Sequence, residues 1–124
     1  MCSERVCYNI IMRTQDTTPM GIKILRQARK LLAKKDGWTK GAWAKSEAGR
    51  VVNPQSPRAT CFCASGAINR ATVDLMASPE DNARARSLLV AAIPGNAVSI
   101  VVFNDAKSRK KSEVLAAFSK AIGD

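Results

Sequence analysis

The chain has 124 residues, a net charge of +10 at neutral pH, four cysteines and no histidine. That length suits one hydrophobic core and is too short for two. A 46% hydrophobic content argues against wholesale disorder, no run approaches the roughly eighteen apolar residues of a membrane span, and without an imidazole neither Ser-His-Asp nor Cys-His chemistry can run within the chain.

Residues 1–15 read as an N-terminal arm or edge strand, with β-forming residues from Val6 to Met12. Glu4 and Arg5 come early and no small-residue cleavage pattern follows, so a cytoplasmic location is expected rather than export. Residues 16–124 are expected to form one compact domain. Cys2, Cys7, Cys61 and Cys63 are spaced C-x4-C and C-x-C, which is not a zinc pattern, so reduced thiols and no metal or other cofactor are expected.

The first helix is the plainest element. Asp16, Thr17 and Thr18 are N-cap candidates and Pro19 suits the first helical position. Ile24, Leu25, Ala28, Leu31 and Leu32 then share one helical face, Lys23, Arg26, Arg29, Lys30 and Lys34 fill the rest, and Gly37 is expected at C′. A two-stranded hairpin is expected over 41–53, with Glu47-Ala48-Gly49 as its turn and Arg50-Val51-Val52 as its return strand. Trp38 and Trp43 would anchor it to the helices, because an isolated hairpin is marginal in water.

Ser56 and Pro57 offer an N-cap and first turn for a central helix, which Ala59, Phe62, Cys63, Ala64, Gly66, Ala67, Ile68, Ala71 and Leu75 would bury on most sides. Gly66 inside it points to a close approach by another element. Ser78 and Asp81 fit a capping box for a helix running to about Ala92, with Leu88, Leu89 and Ala92 inward and Pro94-Gly95 as its stop. Val98 to Phe103 is β-branched and reads locally as a strand. The last helix carries Val114, Leu115, Phe118, Ala121 and Ile122 on one face and closes at Gly123. The expected fold class is therefore α+β: a mainly helical single domain of about four helices, a small β-hairpin and a candidate further strand at 98–103.

Five segments in order carry a resemblance. They are Gly37-Trp38-Thr39-Lys40-Gly41-Ala42, Gly49-Arg50-Val51-Val52, Cys63-Ala64-Ser65-Gly66-Ala67, Phe103-Asn104-Asp105 and Glu113-Val114-Leu115. Their order and spacing, over roughly residues 18–122, resemble an uncharacterised family of small bacterial and phage-encoded proteins with G-W-x-x-G-A, C-A-x-G-A and aromatic-N-D motifs. The resemblance implies a first helix, a glycine-turned hairpin, a C-A-x-G-A helix and a final amphipathic helix, and it implies no activity, since that family has none assigned. One departure is local: Lys110 stands where the family's last helix opens a capping box with threonine, while Glu113 remains and Lys107 and Lys111 add charge.

The candidate ligand-binding residues are Trp38, Lys40, Trp43, Lys45, Arg50, Arg58, Asn104, Asp105 and Arg109. Lys40, Lys45, Arg50 and Arg58 surround the hairpin and the expected start of the central helix, where free N–H groups and the dipole would favour an anion. Either tryptophan could stack on a base, though a core anchor is the commoner role. Asn104-Asp105 could hold a hydroxyl or base edge, though an Asx turn is commoner. Cys63 could be a nucleophile near a helix N-terminus, but it falls two turns inside the expected helix and a small buried hydrophobe is the commoner role.

The charge balance favours an anionic partner. The expected function is a non-catalytic binding module for nucleic acid or a nucleotide, in phage–host conflict or regulation. The alternative is a protein-interaction module or small inhibitor docking on an acidic protein surface. A cysteine-dependent enzyme comes third for lack of a base. No membrane partner is expected, and oligomeric state and ligand identity stay open.

Overall fold

A computed structural model describes residues 18–94 and 99–123. Among these residues the order of elements is α1 (Met20–Ala33), β1 (Ala44–Ser46), β2 (Ala59–Phe62), α2 (Ala64–Asp74), α3 (Pro79–Ala92), α4 (Ile100–Asp105) and α5 (Lys111–Ile122). This is the expected small α+β domain, mainly helical, with one two-stranded antiparallel sheet. No described helix is long and apolar enough to cross a membrane. The expected N-terminal arm at 1–15 and the cap candidates Asp16 and Thr17 lie outside the described residues.

Helices α1, α2, α3 and α5 pack on one another around a core whose largest fully buried side chains include Phe118, Ile24, Leu25, Leu32, Ile68, Leu89 and Val114. Three helices follow their local signals. In α1, Ile24, Leu25, Ala28 and Leu32 are buried as their spacing requires, but Pro19 is the N-cap and not the first helical residue, so Thr18 is not the cap. α3 starts with a reciprocal capping box: Asp81 N donates to Ser78 Oγ (3.1 Å) and Ser78 N donates to Asp81 Oδ2 (3.2 Å). α5 ends on Gly123 in the left-handed region, φ 94°. Its N-terminus has half a box, because Lys110 N donates to Glu113 Oε1 (2.8 Å) while an ammonium cannot accept in return.

Several expectations are corrected. Residues 59–62 are not the first turns of the central helix but strand β2, paired with β1 in the register Ala44↔Phe62, Lys45↔Cys61, Ser46↔Ala59, with a bulge after Lys45. The expected return strand at 50–52 forms only an isolated bridge, Lys45 with Val51, across the turn at Gly49. On its other side β2 is held by the 37–39 segment: Phe62 N donates to Gly37 O and Thr39 N donates to Phe62 O, both 2.9 Å. The Ser56 and Arg58 N–H groups donate only locally, while the strand from Ala59 to Phe62 pairs with segments distant in sequence, which a local cap at Ser56 cannot outweigh.

The β-branched run at 100–103 is helical, not a strand; Val98 itself lies outside the described residues. Ser99 caps α4, its Oγ accepting from Val102 N (3.0 Å), and Ile100, Phe103 and Asn104 are buried at i, i+3, i+4. Leu88 is 39% exposed, so the inward face of α3 runs through Ala85, Leu89 and Ala92 instead. Gly37 is not the left-handed residue after α1. That conformation falls on Asp36 (φ 57°), and Gly37 is required because a Cβ there would stand 2.3 Å from Leu31 O.

Candidate functional site

The late start of α2 changes what surrounds Cys63. Cys63 is the N-cap of α2, 1% exposed, with its Sγ accepting from Gly66 N (3.3 Å). Its own N–H donates to Trp43 O (3.1 Å). Gly66 makes that approach possible, since a Cβ at 66 would meet Trp43 O at 2.0 Å. The close approach expected from Gly66 is therefore that of the backbone leading into β1.

Asn104 closes the same helix end from α4. Fully buried, its Oδ1 accepts from Trp38 Nε1 (2.7 Å) and from Ala64 N (3.0 Å). Its Nδ2 donates to Thr39 O (3.0 Å) and Asp105 Oδ1 (2.9 Å). Both donors and both acceptor positions of the amide are used, so Asn104 is a structural clasp joining α4, the 38–39 segment and α2. The first N–H groups of α2 are accordingly occupied by Asn104 and by Cys63. The anion site expected at the start of the central helix is not there: residues 56–58 do not begin a helix, and the real N-terminus is buried and satisfied.

Burial pushes the Cys63 thiol up from its ordinary pKa, and the Asp105 carboxylate adds to the rise. Backbone N–H groups of Gly66 and Ser65 and the Arg86 cation act the other way without reversing it. The thiol is neutral at neutral pH, which disfavours the nucleophile reading. Arg86 comes from α3 and spends its donors on neutral acceptors: Asn82 Oδ1 (2.9 Å), Ser65 Oγ (2.8 Å), Ser65 O (3.2 Å) and Asn69 Oδ1 (2.6 Å). Burial lowers its pKa and the Cys63 side chain opposes the shift. Sequence reasoning missed this cation, because its partners on α2 are 17 and 21 residues away.

Above Cys63 opens a pocket of about 560 Å³, with Gly41, Ala42, Trp43, Val51, Val52, Asn53, Pro54, Val101 and Asp105 around it. Arg70 holds one wall by donating to Pro54 O and Ser56 O, both 3.0 Å. Trp43 is 56% exposed, so it is not the core anchor it was expected to be; Trp38 packs against the core instead. Asp105 Oδ1 accepts from Gly41 N (3.1 Å) as well as from Asn104, which fixes the carboxylate at the pocket edge. Lys40 is engaged nearby, donating to Ala106 O (2.9 Å) and lying 5.6 Å from the Trp38 ring centroid.

The remaining candidates lie elsewhere. Arg109 is tied down by Phe103 O (2.8 Å), by the Phe103 ring (4.0 Å) and by Glu113 (3.6 Å). Arg50 and Arg58 share a groove with Ser46, Glu47 and Thr60. Lys45 lines a second groove that shares Ser46, Glu47 and Thr60 with the first and reaches Lys35 and Asp36 beyond α1. Lys111 then donates to Lys34 O (2.7 Å), joining the end of α1 to the start of α5. The result is a band of cations, Arg58, Arg50, Lys45, Lys35, Lys34, Lys111 and Lys110, with Glu47 and Asp36 among them and Glu113 beside Lys110. Sequence analysis found its hairpin half and the charge near α5, and missed that α1 connects them.

A family model described as a family of unknown function, DUF6197, matches residues 17–124. No curated protein and no solved structure matches the chain.

Proposed function

The chain belongs to the DUF6197 family of unknown function, and from its own surface we propose that it is a non-catalytic binding module for an anionic polymer, nucleic acid first. The single observation that carries this reading is the succession of cations from the β1–β2 grooves over the end of α1 to α5, which outnumber the acidic residues Glu47 and Asp36 among them. Its lysines and arginines extend from the surface along successive elements, an arrangement that suits a repeating phosphate backbone better than one small anion. Contacts of this kind position a strand or duplex without reading its sequence, so binding with little sequence preference is expected. A bacterial or phage setting, and a role in phage–host conflict or regulation, rest on the motif resemblance alone; a cytoplasmic location belongs to the same reading.

Fluorescence anisotropy with a labelled duplex and a labelled single strand of mixed sequence tests it. Binding should weaken steeply with salt, with a log–log slope near −4 on duplex for about four to five phosphate contacts. Absence of binding at low salt, or an affinity unchanged by salt, sinks the reading and favours an acidic protein as the partner.

A further inference from the structure

The pocket over the α2 N-terminus has the opposite character to the band. Among the described residues no lysine or arginine lines it, in a chain whose net charge is +10. Its one charged group is Asp105. Oδ1 of that carboxylate already accepts two hydrogen bonds, from Gly41 N and Asn104 Nδ2, and no described residue donates to Oδ2. The carboxylate is thus held in place by donors on one oxygen and offers the other. Around it stand Trp43, Val51 and Val101, three of the large apolar side chains that the surface leaves exposed, at 56%, 71% and 37%. With Val52 and Pro54 they make an apolar wall that includes one indole ring.

We propose that this pocket binds a small organic cation, an ammonium or amidinium on a flat apolar body, with its charge on Asp105 and its body against Trp43. Each part of the site selects for that chemistry. The fixed carboxylate gives a charge-assisted hydrogen bond to an N–H donor. The indole face attracts a cation placed over it. The valines and the proline bury apolar surface that an inorganic ion would not need. An anion meets Asp105 with no cation among the described lining residues to offset it, so nucleotides and phosphates are disfavoured in this pocket. None of the lining residues belongs to the band, so this site and the polymer-binding reading stand or fall separately.

The experiment is a titration of the full ¹⁵N-labelled chain with benzamidinium, and with its neutral and anionic isosteres benzamide and benzoate, followed by amide and indole chemical shifts. Benzamidinium should saturate with a dissociation constant on the order of 1 mM, as befits a ligand of so few atoms. The shifts should centre on Gly41 N–H and the Trp43 indole rather than the Trp38 indole. Benzamide and benzoate should bind at least about ten-fold more weakly, for loss of the charge-assisted bond. Asp105→Asn keeps an oxygen for Gly41 N and should weaken benzamidinium by a similar factor, while Trp43→Leu should weaken it about three-fold. Equal binding of the three isosteres, unchanged binding by Asp105→Asn in a folded chain, no saturation up to about 20 mM, or shifts centred elsewhere overturns the proposal.

Discussion

The α2 N-terminus and the cationic band differ in how their polar groups are used. At the helix end nearly every donor and acceptor is matched inside the protein: Asn104 uses its whole amide, Cys63 caps, and Arg86 meets only neutral oxygens. On the band Lys34, Lys35 and Lys110 are exposed, and the contact joining its halves, from Lys111, uses a backbone carbonyl, Lys34 O, rather than a carboxylate. The first region ties α2, α4 and the 38–39 segment together and leaves Asp105 Oδ2 without a donor among the described residues, the oxygen on which the proposed cation site rests. The second leaves most of its charge unmatched by carboxylates, which is what the proposed polymer binding draws on. Large polar content is therefore no guide to where a protein binds; what matters is whether the polar groups already have partners.

The comparison breaks most visibly at Asn104. Asn104→Leu leaves the Ala64 N–H, the Trp38 indole N–H and the Thr39 carbonyl without their partner in the fold. At about 1–3 kcal/mol for each buried group left unpaired, a loss of about 4 kcal/mol is expected in urea denaturation. A loss under about 1 kcal/mol would mean that the clasp is dispensable. On the band, Lys34→Gln with Lys35→Gln and Lys110→Gln should move stability by no more than about 0.5 kcal/mol. The same triple variant should bind duplex about ten-fold more weakly near 0.1 M salt and flatten the salt slope by up to about 3. Unchanged affinity in that variant would remove α1 and α5 from the interface.

The smallest effect is a pH dependence at Cys63. Its folded pKa is raised, so the folded chain holds that proton longer than the unfolded one. Its contribution is fully present below the unfolded thiol value, about 8.5, and is lost as pH climbs through the higher folded value, with a slope of up to about 1.4 kcal/mol per pH unit. Cys63→Ser keeps a capping oxygen and should retain most stability at neutral pH. Its alkaline decline, measured against the parent chain by denaturation from pH 8 to 10, should be shallower; parallel curves would show that burial does not govern this thiol.

How much of this was legible beforehand varies by element. The C-A-x-G-A segment drew attention to Cys63 and Gly66, and Phe103-Asn104-Asp105 to the clasp and the pocket edge, yet the residues were legible without their roles. Locally Asn104 resembles a ligand or turn residue, because none of its partners except Asp105 lies within 39 residues. Nothing local distinguishes Trp43 from Trp38, and of the two only Trp38 bonds to Asn104.

The sequence by itself determined that α1, α3 and α5 are helices, the buried face of α1, the start of α3 and the end of α5, because periodicity, the Ser78–Asp81 box and the Gly123 stop act within one turn of helix. It also determined the surplus of cations. Only the tertiary structure decided where α2 begins, that the 100–105 run is helical, and that the end of α1 bridges two basic regions. Those outcomes depend on backbone groups finding partners far along the chain: Phe62 with Gly37 and Thr39, Ala64 with Asn104, Lys34 with Lys111. A buried N–H or carbonyl must be paired wherever its partner comes from, and that requirement overrides local propensity.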